Sequence, residues 1–391
     1  MRRTVALVAF VLLAVAAPAA AQHALVEGGS YDPAIPTPQS ILGYELGERF
    51  TPHHLLMRYY ETLATASPRV VLDTVAHTFE GRAVLMAIIT SEANQARLAQ
   101  IKQAAHRIAD PRGASPAELD AAAASLPAIV WLAYTVHGGE ASGTEAGMAV
   151  AYQLAAGTDA ETQMILDSTV VLIDPLENPD GHERHVQDVI RRRGAFGPRP
   201  EPYARVQEGS WPGPRTSHYH FDLNRDWIVH SHPETRGRIA ALLEWMPHVA
   251  VDLHEMGSNS TYYFAPPMQP VNVNVPDYVR SWWDTFAASN AAAFDRHGWS
   301  FFRRENYDEF YPGYGSAWPI YIGAVGMTYE QASSGGGAIR RTDGTLLTLR
   351  EAAMHHFASS FATALTAAQG RSRLIGDYLA FRRASVEDPG A

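Results

Sequence analysis

Four short stretches of this chain carry side chains able to do chemistry together: His137-Gly138-Gly139-Glu140, Asp222-Leu223-Asn224-Arg225, His254 in VDLHEMG, and Glu330 in GMTYEQ. Zinc in a hydrolytic site takes three protein ligands, usually His and carboxylate, and leaves a fourth position for water. A His-x-x-Glu loop with a distant His makes up that set. Glu330 closes an apolar strand, where a carboxylate is costly unless it is paired or used, and it suits a general base beside a metal-acidified water. Asn224-Arg225 sets a guanidinium fork beside an amide, a pair fitted to gripping a carboxylate. Asp252, two residues before His254, faces the same side of a strand and can orient its imidazole. Glu255 lacks the second His of a His-Glu-x-x-His pattern, so it reads as a surface or supporting group rather than the base. A second His-x-x-Glu, His77 to Glu80, falls in a hairpin turn with no third ligand nearby and is not expected to bind metal. The run Arg191-Arg192-Arg193 is ordinarily a solvated helix face, although one member could polarise a scissile carbonyl. Tyr307, Tyr311 and Tyr314 lie in YDEFYPGYGSAWP, a loop that could close over a substrate or simply pack as an aromatic turn.

The elements that position these groups follow from the apolar pattern. PAIVWLAYTV is nearly continuous in apolar residues, the signature of a strand covered on both faces. Further strands are expected at RVVLDTVAHTF, AVLMAIITS, STVVLID, HVAVDLH and VGMTYE, and helices at HHLLMRYYETLATAS, 233–245, about 278–296 and 347–366. The Ala-rich residues 92–125 read as two helices broken at Asp110-Pro111, and Ser142 with Glu145 forms a capping-box pattern ahead of MAVAYQLA. Strands alternating with helices give an α/β sheet with helices on both sides. In such sheets the ligand site lies outside the carboxyl ends of the strands, where His137, His254 and Glu330 all fall.

The 391 residues are 46% apolar and 18% charged, ordinary for a globular protein. A formal net charge of −10 argues against nucleic acid or an anionic membrane as the main partner, while a local basic patch could still recruit an anionic substrate. There is no cysteine, which excludes thiolate chemistry and disulfides. Residues 1–21 combine Arg2-Arg3, an apolar run and an Ala19-Ala20-Ala21 ending, the pattern of a cleaved secretory signal, so the expected location is secreted or periplasmic with no stable membrane insertion after cleavage. Residues 22–45 read as an extended lead-in, 46–368 as one catalytic domain and 369–391 as a C-terminal helix and tail.

Taken together, the His-x-x-Glu loop, the Asn178-Pro179-Asp180-Gly181 turn, the DLNRD segment, the second His after a strand and the Glu-ending strand resemble the zinc carboxypeptidase family of the A/B type. The resemblance implies a three-layer α/β/α fold around a central mixed, twisted sheet. It implies one zinc per chain on His137, Glu140 and His254, with Glu330 as general base and Asn224 and Arg225 clamping a terminal carboxylate. An oxyanion-stabilising Arg about a dozen residues after the NPDG turn lands on Arg193, within a run whose register is open. A substrate-capping Tyr is assigned to Tyr311, with Tyr307 and Tyr314 as alternatives. Two departures stand out: the place between His137 and Glu140 that many members fill with Arg is Gly139, and no acidic residue stands in Ser316 to Trp318, the region of the specificity pocket, which disfavours a preference for Lys or Arg. Only about 30 residues precede the first expected helix, leaving no room for a folded inhibitory prosegment. The expected activity is metallocarboxypeptidase action on peptides with a free C-terminal carboxylate. The alternatives are a zinc amidase or endopeptidase acting on cell-wall peptides or acyl-amino acids, and a silent peptide-binding homologue.

Overall fold

The structure, a computed structural model, describes residues 25–195 and 197–387. The leader-like residues 1–21 lie outside the described residues. A seven-stranded sheet runs through the molecule, built from β1 (Val70–His77), β2 (Ala83–Ile89), β3 (Ala128–Tyr134), β4 (Thr169–Asp174), β5 (Val249–Met256), β6 (Tyr262–Phe264) and, after a separate small pair β7 (Met268–Val271) and β8 (Asp308–Glu309), β9 (Val325–Ala332). The order is β1-β2-β4-β3-β5-β9-β6. The contiguous β4-β3-β5-β9 pairings are parallel, and β1, β2 and β6 join antiparallel at the two sides, so the sheet is mixed as expected.

Alternation along β3 shows how one strand serves two layers. Ala128, Val130, Leu132 and Tyr134 enter one core, with Leu56, Tyr59, Met148, Trp282 and Phe357 from helices on that face. Ile129, Trp131 and Ala133 enter the other, with Ile101, Leu119, Ile239, Trp245 and Tyr378. Successive side chains of a strand point to opposite faces, and both faces here are covered, which is why the strand reads as an unbroken apolar run. The second core takes in Ile375, Tyr378 and Leu379 of the C-terminal helix Arg371–Glu387, whose Leu374 joins the first. The segment read as a lead-in is also partly structured: Thr37 caps a short helix Pro38–Leu42, and Ile35, Leu42 and Tyr44 are buried.

The capping box expected from Ser142 and Glu145 does not form. The helix starts at Ser142 itself, behind Ala141. Ser142 donates from its backbone N–H (2.7 Å) and its hydroxyl (2.5 Å) to Glu255, and Glu145 turns away to accept from the Thr51 N–H (2.7 Å). A partner distant in sequence has displaced the local one. Among the described residues no helix is long and apolar enough to cross a membrane.

Candidate metal centre

Beyond β3 the chain turns at Thr135, whose φ of +62° is rare for a β-branched residue. Its hydroxyl donates to the Glu140 carbonyl (3.1 Å), and the Glu140 N–H returns to the His137 carbonyl (2.9 Å), closing the loop into a tight hook. Gly138 is required there. A Cβ at this position would lie 2.1 Å from backbone atoms of Gly181 and His182, at the start of the helix Pro179–Arg192 that Asn178 caps. Gly139 faces Pro214, whose ring lies 2.7 Å from where a Cβ would be. The space an Arg side chain would need is therefore filled by a proline from another loop.

The hook delivers Glu140 between two imidazoles. His137 Nδ1 lies 2.8 Å from Glu140 Oε1, and His254 Nδ1 lies 3.0 Å from Oε2. One ligand atom from each of the three residues falls within 4.8 Å of the others. The far ring nitrogens are also committed: His137 Nε2 to Asp222 (3.1 Å) and His254 Nε2 to Asp252 (2.7 Å). An imidazole that donates its Nε2–H to a carboxylate keeps its Nδ1 lone pair for a cation. The expectation that Asp252 orients His254 is thus met in the geometry, and Asp222 does the same for His137. Two imidazoles and a carboxylate, each braced from behind, match the donor chemistry of zinc.

Burial works against charge on His137, but the Glu140 and Asp222 carboxylates together outweigh it and raise the pKa. Burial would likewise raise Glu140, yet the two imidazoles hold it well below the usual carboxylate range. Glu330 is the opposite case. It sits beside His254 in the β5–β9 register, its Oε2 has no hydrogen-bond partner, and burial pushes it up to about 8. Tyr307 lies beside it and packs on Tyr263 at 4.7 Å between ring centres. Glu255 is half-buried, where it accepts from Ser142, and desolvation raises it to about 7 despite those bonds.

The remaining expected residues separate into those the fold gathers and one that it does not. Asn224 and Arg225 form a 3-10 turn capped by Asp222. Asn224 points inward, its amide donating to Asp252 (3.2 Å) and accepting from the Gly315 N–H (2.7 Å). Arg225 is held by the Asn224 carbonyl (2.9 Å) and lies over the Tyr314 ring, 4.8 Å from its centre. Tyr311 packs edge-on against Tyr314 at 5.1 Å. Arg193 is not brought to the cluster: it ends its helix and lines a hollow with Glu48, Arg49 and Pro198. The guanidinium that does reach the cluster is Arg215, 3.5 Å from Glu140 and forked onto Asp222 at 2.9 and 3.1 Å. Counting forward from Gly181 misses it because residues 194–222 form a long Pro- and Gly-rich loop. Counting back from the DLNRD segment would have been the better guide.

Two other acidic groups lie at stretches that the sequence singled out. Ser316, in the stretch expected to hold the specificity pocket, donates to both carboxylate oxygens of buried Glu309 (3.1 and 3.2 Å), which burial raises to about 8. Glu80 meets Asp180 and His218 rather than His77, but Arg82 bridges Glu80 (2.5 Å) and Asp180 (2.7 Å) and already supplies the cation that group needs.

Comparison with known proteins agrees with this geometry. A family model described as zinc carboxypeptidase matches residues 56–258. No curated protein matches the sequence. Among solved structures, a metallo-carboxypeptidase from Pseudomonas aeruginosa in complex with (2-guanidinoethylmercapto)succinic acid superposes with a TM-score of 0.55 at 15% identity, over 83% of this chain and 71% of that one. A metallo-carboxypeptidase from Burkholderia cenocepacia gives 0.53 at 14%, over 78% and 67%. Carboxypeptidase A from Helicoverpa armigera gives 0.53 at 14%, over 86% and 80%. At these identities the structures speak to the fold, and the family model spans more than half of the chain, so the chain belongs to the zinc carboxypeptidase family and is a zinc metallopeptidase.

Proposed function

We propose that this protein is an exported metallocarboxypeptidase that removes residues from the C-termini of peptides. The observation that carries the reading is the convergence of His137 Nδ1 and His254 Nδ1 on Glu140, with Glu330 across from His254 and two guanidinium groups, Arg215 and Arg225, at its flanks. His137, Glu140 and His254 would hold one zinc per chain. Zinc bound there supplies Lewis acidity, polarising the scissile carbonyl and acidifying water. Glu330 takes a proton from the attacking water and passes it to the leaving amine. Its poor solvation favours that transfer. Arg215 replaces Arg193 in the oxyanion role, because its charge meets negative charge developing on the carbonyl oxygen at the cluster. Arg225 grips the terminal carboxylate, kept in place by the Asn224 carbonyl and the Tyr314 face, while Tyr311 covers the pair. Asn224 acts through Asp252 and Gly315 as a positioning residue.

Mass spectrometry of a mixed peptide library incubated with the mature protein tests this. Stepwise, chelator-sensitive loss from C-termini is expected, restored by zinc. Internal cuts alone, or release of amino acids only from cell-wall peptides, would overturn it. Export rests on residues 1–21, and N-terminal sequencing of the protein recovered outside the cytoplasm should begin near Gln22.

A further inference from the structure

Three arginines of the helix Pro179–Arg192, Arg184, Arg191 and Arg192, come together with Arg205 around an open hollow of about 430 Å³. Asp188 is the one carboxylate in its lining, so four positive groups face one negative. That is a local reversal of a chain whose formal charge is −10. Asp188 does not neutralise the group. It pairs with Arg192 at 3.0 Å and meets Arg191 only at 3.8 Å, where the Arg191 side chain is 72% exposed. Among the described residues no ion pair or side-chain hydrogen bond engages the Arg205 guanidinium. Trp211 forms part of the wall and is 89% exposed, stacked on His220.

The hollow adjoins the metal centre through a short piece of chain. Pro212 lines the hollow, and Arg215, three residues later, contacts Glu140. Three residues of extended chain span at most roughly 11 Å. Arg184 ties the same segment down by donating to the Ser217 carbonyl at 3.0 Å. In sequence, the Arg215–Asp222 ion pair falls between Pro212 of the hollow and Arg225. The hollow is therefore within reach of a peptide whose end is held by Arg225 and which passes Arg215.

We propose that this hollow is a second recognition site, taking acidic side chains of a peptide substrate upstream of the scissile bond. The inference rests on the carboxypeptidase reading for the direction of the chain. Guanidinium forks bind carboxylates in two-point fashion, and Trp211 offers a flat apolar face to the intervening backbone. Selection for acidic upstream residues should weaken with added salt, because Arg191 and Arg205 are exposed.

The test compares peptides with one C-terminal residue and either Glu or Gln at the three preceding positions. The wild-type protein should favour the Glu series by about tenfold in kcat/KM, the effect of one charge-assisted contact. The Arg191→Ala/Arg205→Ala variant should lose that preference while cleaving the Gln series at the wild-type rate. Equal rates for both series in the wild type, or a preference that survives in the variant, would overturn the proposal. If no peptide is cleaved, the carboxypeptidase reading has failed, and calorimetric titration with tetraglutamate still reads the hollow. Binding lost in the double variant supports the site, and unchanged binding overturns it. Inorganic phosphate binding as tightly as tetraglutamate would assign the hollow to free anions and overturn the peptide assignment.

Discussion

Glu140 and Glu330 are carboxyl groups largely withdrawn from solvent at the same end of the sheet, and both neighbour His254, yet they are held in opposite states. Glu140 has an imidazole on each oxygen and Arg215 beyond, and stays ionised. Glu330 has a bare Oε2 and a tyrosine, and its pKa climbs to about 8. Burial is common to the two, so the difference lies in their partners: ionic ones make a ligand, and their scarcity makes a group that can carry a proton. The same division extends outward. Asp222 belongs with Glu140, while Glu145, Glu255 and Glu309 accept only from hydroxyl or backbone groups and are all raised.

Breaking the ionic half should have the largest effect. His137→Ala removes one ligand of three and should abolish zinc retention and with it turnover, read by metal analysis of the purified protein. Arg215→Ala should lower kcat by roughly 10²–10³-fold with zinc retained, the cost of losing one oxyanion contact. Arg193→Ala should leave kinetics near wild type, and the opposite ranking of the two arginines would refute the assignment.

The unpartnered half is tested through pH. Glu145 is raised from 4.5 to about 7, so between those values the folded state keeps a proton that the unfolded chain releases. Stability therefore falls as pH rises through that window, by about 3 kcal/mol as an order of magnitude, and then levels off. Glu145→Gln retains an acceptor for the Thr51 N–H and should flatten the pH dependence of Tm. A slope unchanged by the substitution would show that Glu145 is not its source. Smallest is Gly138→Ala, which forces backbone apart at the hook and should cost about 1–3 kcal/mol on denaturant unfolding.

The candidate metal cluster was legible in the sequence because its members fall at strand ends: His137 and Glu140 share one hook, and His254 and Glu330 sit at register partners on adjacent parallel strands. The strands were legible because apolar runs covered on both faces leave little ambiguity. Arg215 was hidden by a loop whose irregular length defeats counting from Gly181, and the Arg191–Arg193 run supplied a false target. Ser142 and Glu145 obey a local capping rule that Glu255 and Thr51, distant in sequence, override. Glu309 meets Ser316 across a seven-residue loop whose path no periodicity encodes. The three residues Tyr262–Phe264 are too short to alternate, and pair as a strand only because β9 offers them an edge.

The division of roles between the two glutamates is best tested by measuring zinc per chain and turnover on the same samples of Glu140→Gln and Glu330→Gln. The account predicts that Glu140→Gln loses zinc, whereas Glu330→Gln keeps one zinc and loses turnover by roughly 10²–10⁴-fold, the range of general-base catalysis. Zinc lost from Glu330→Gln, or near-normal turnover with its zinc in place, would contradict it.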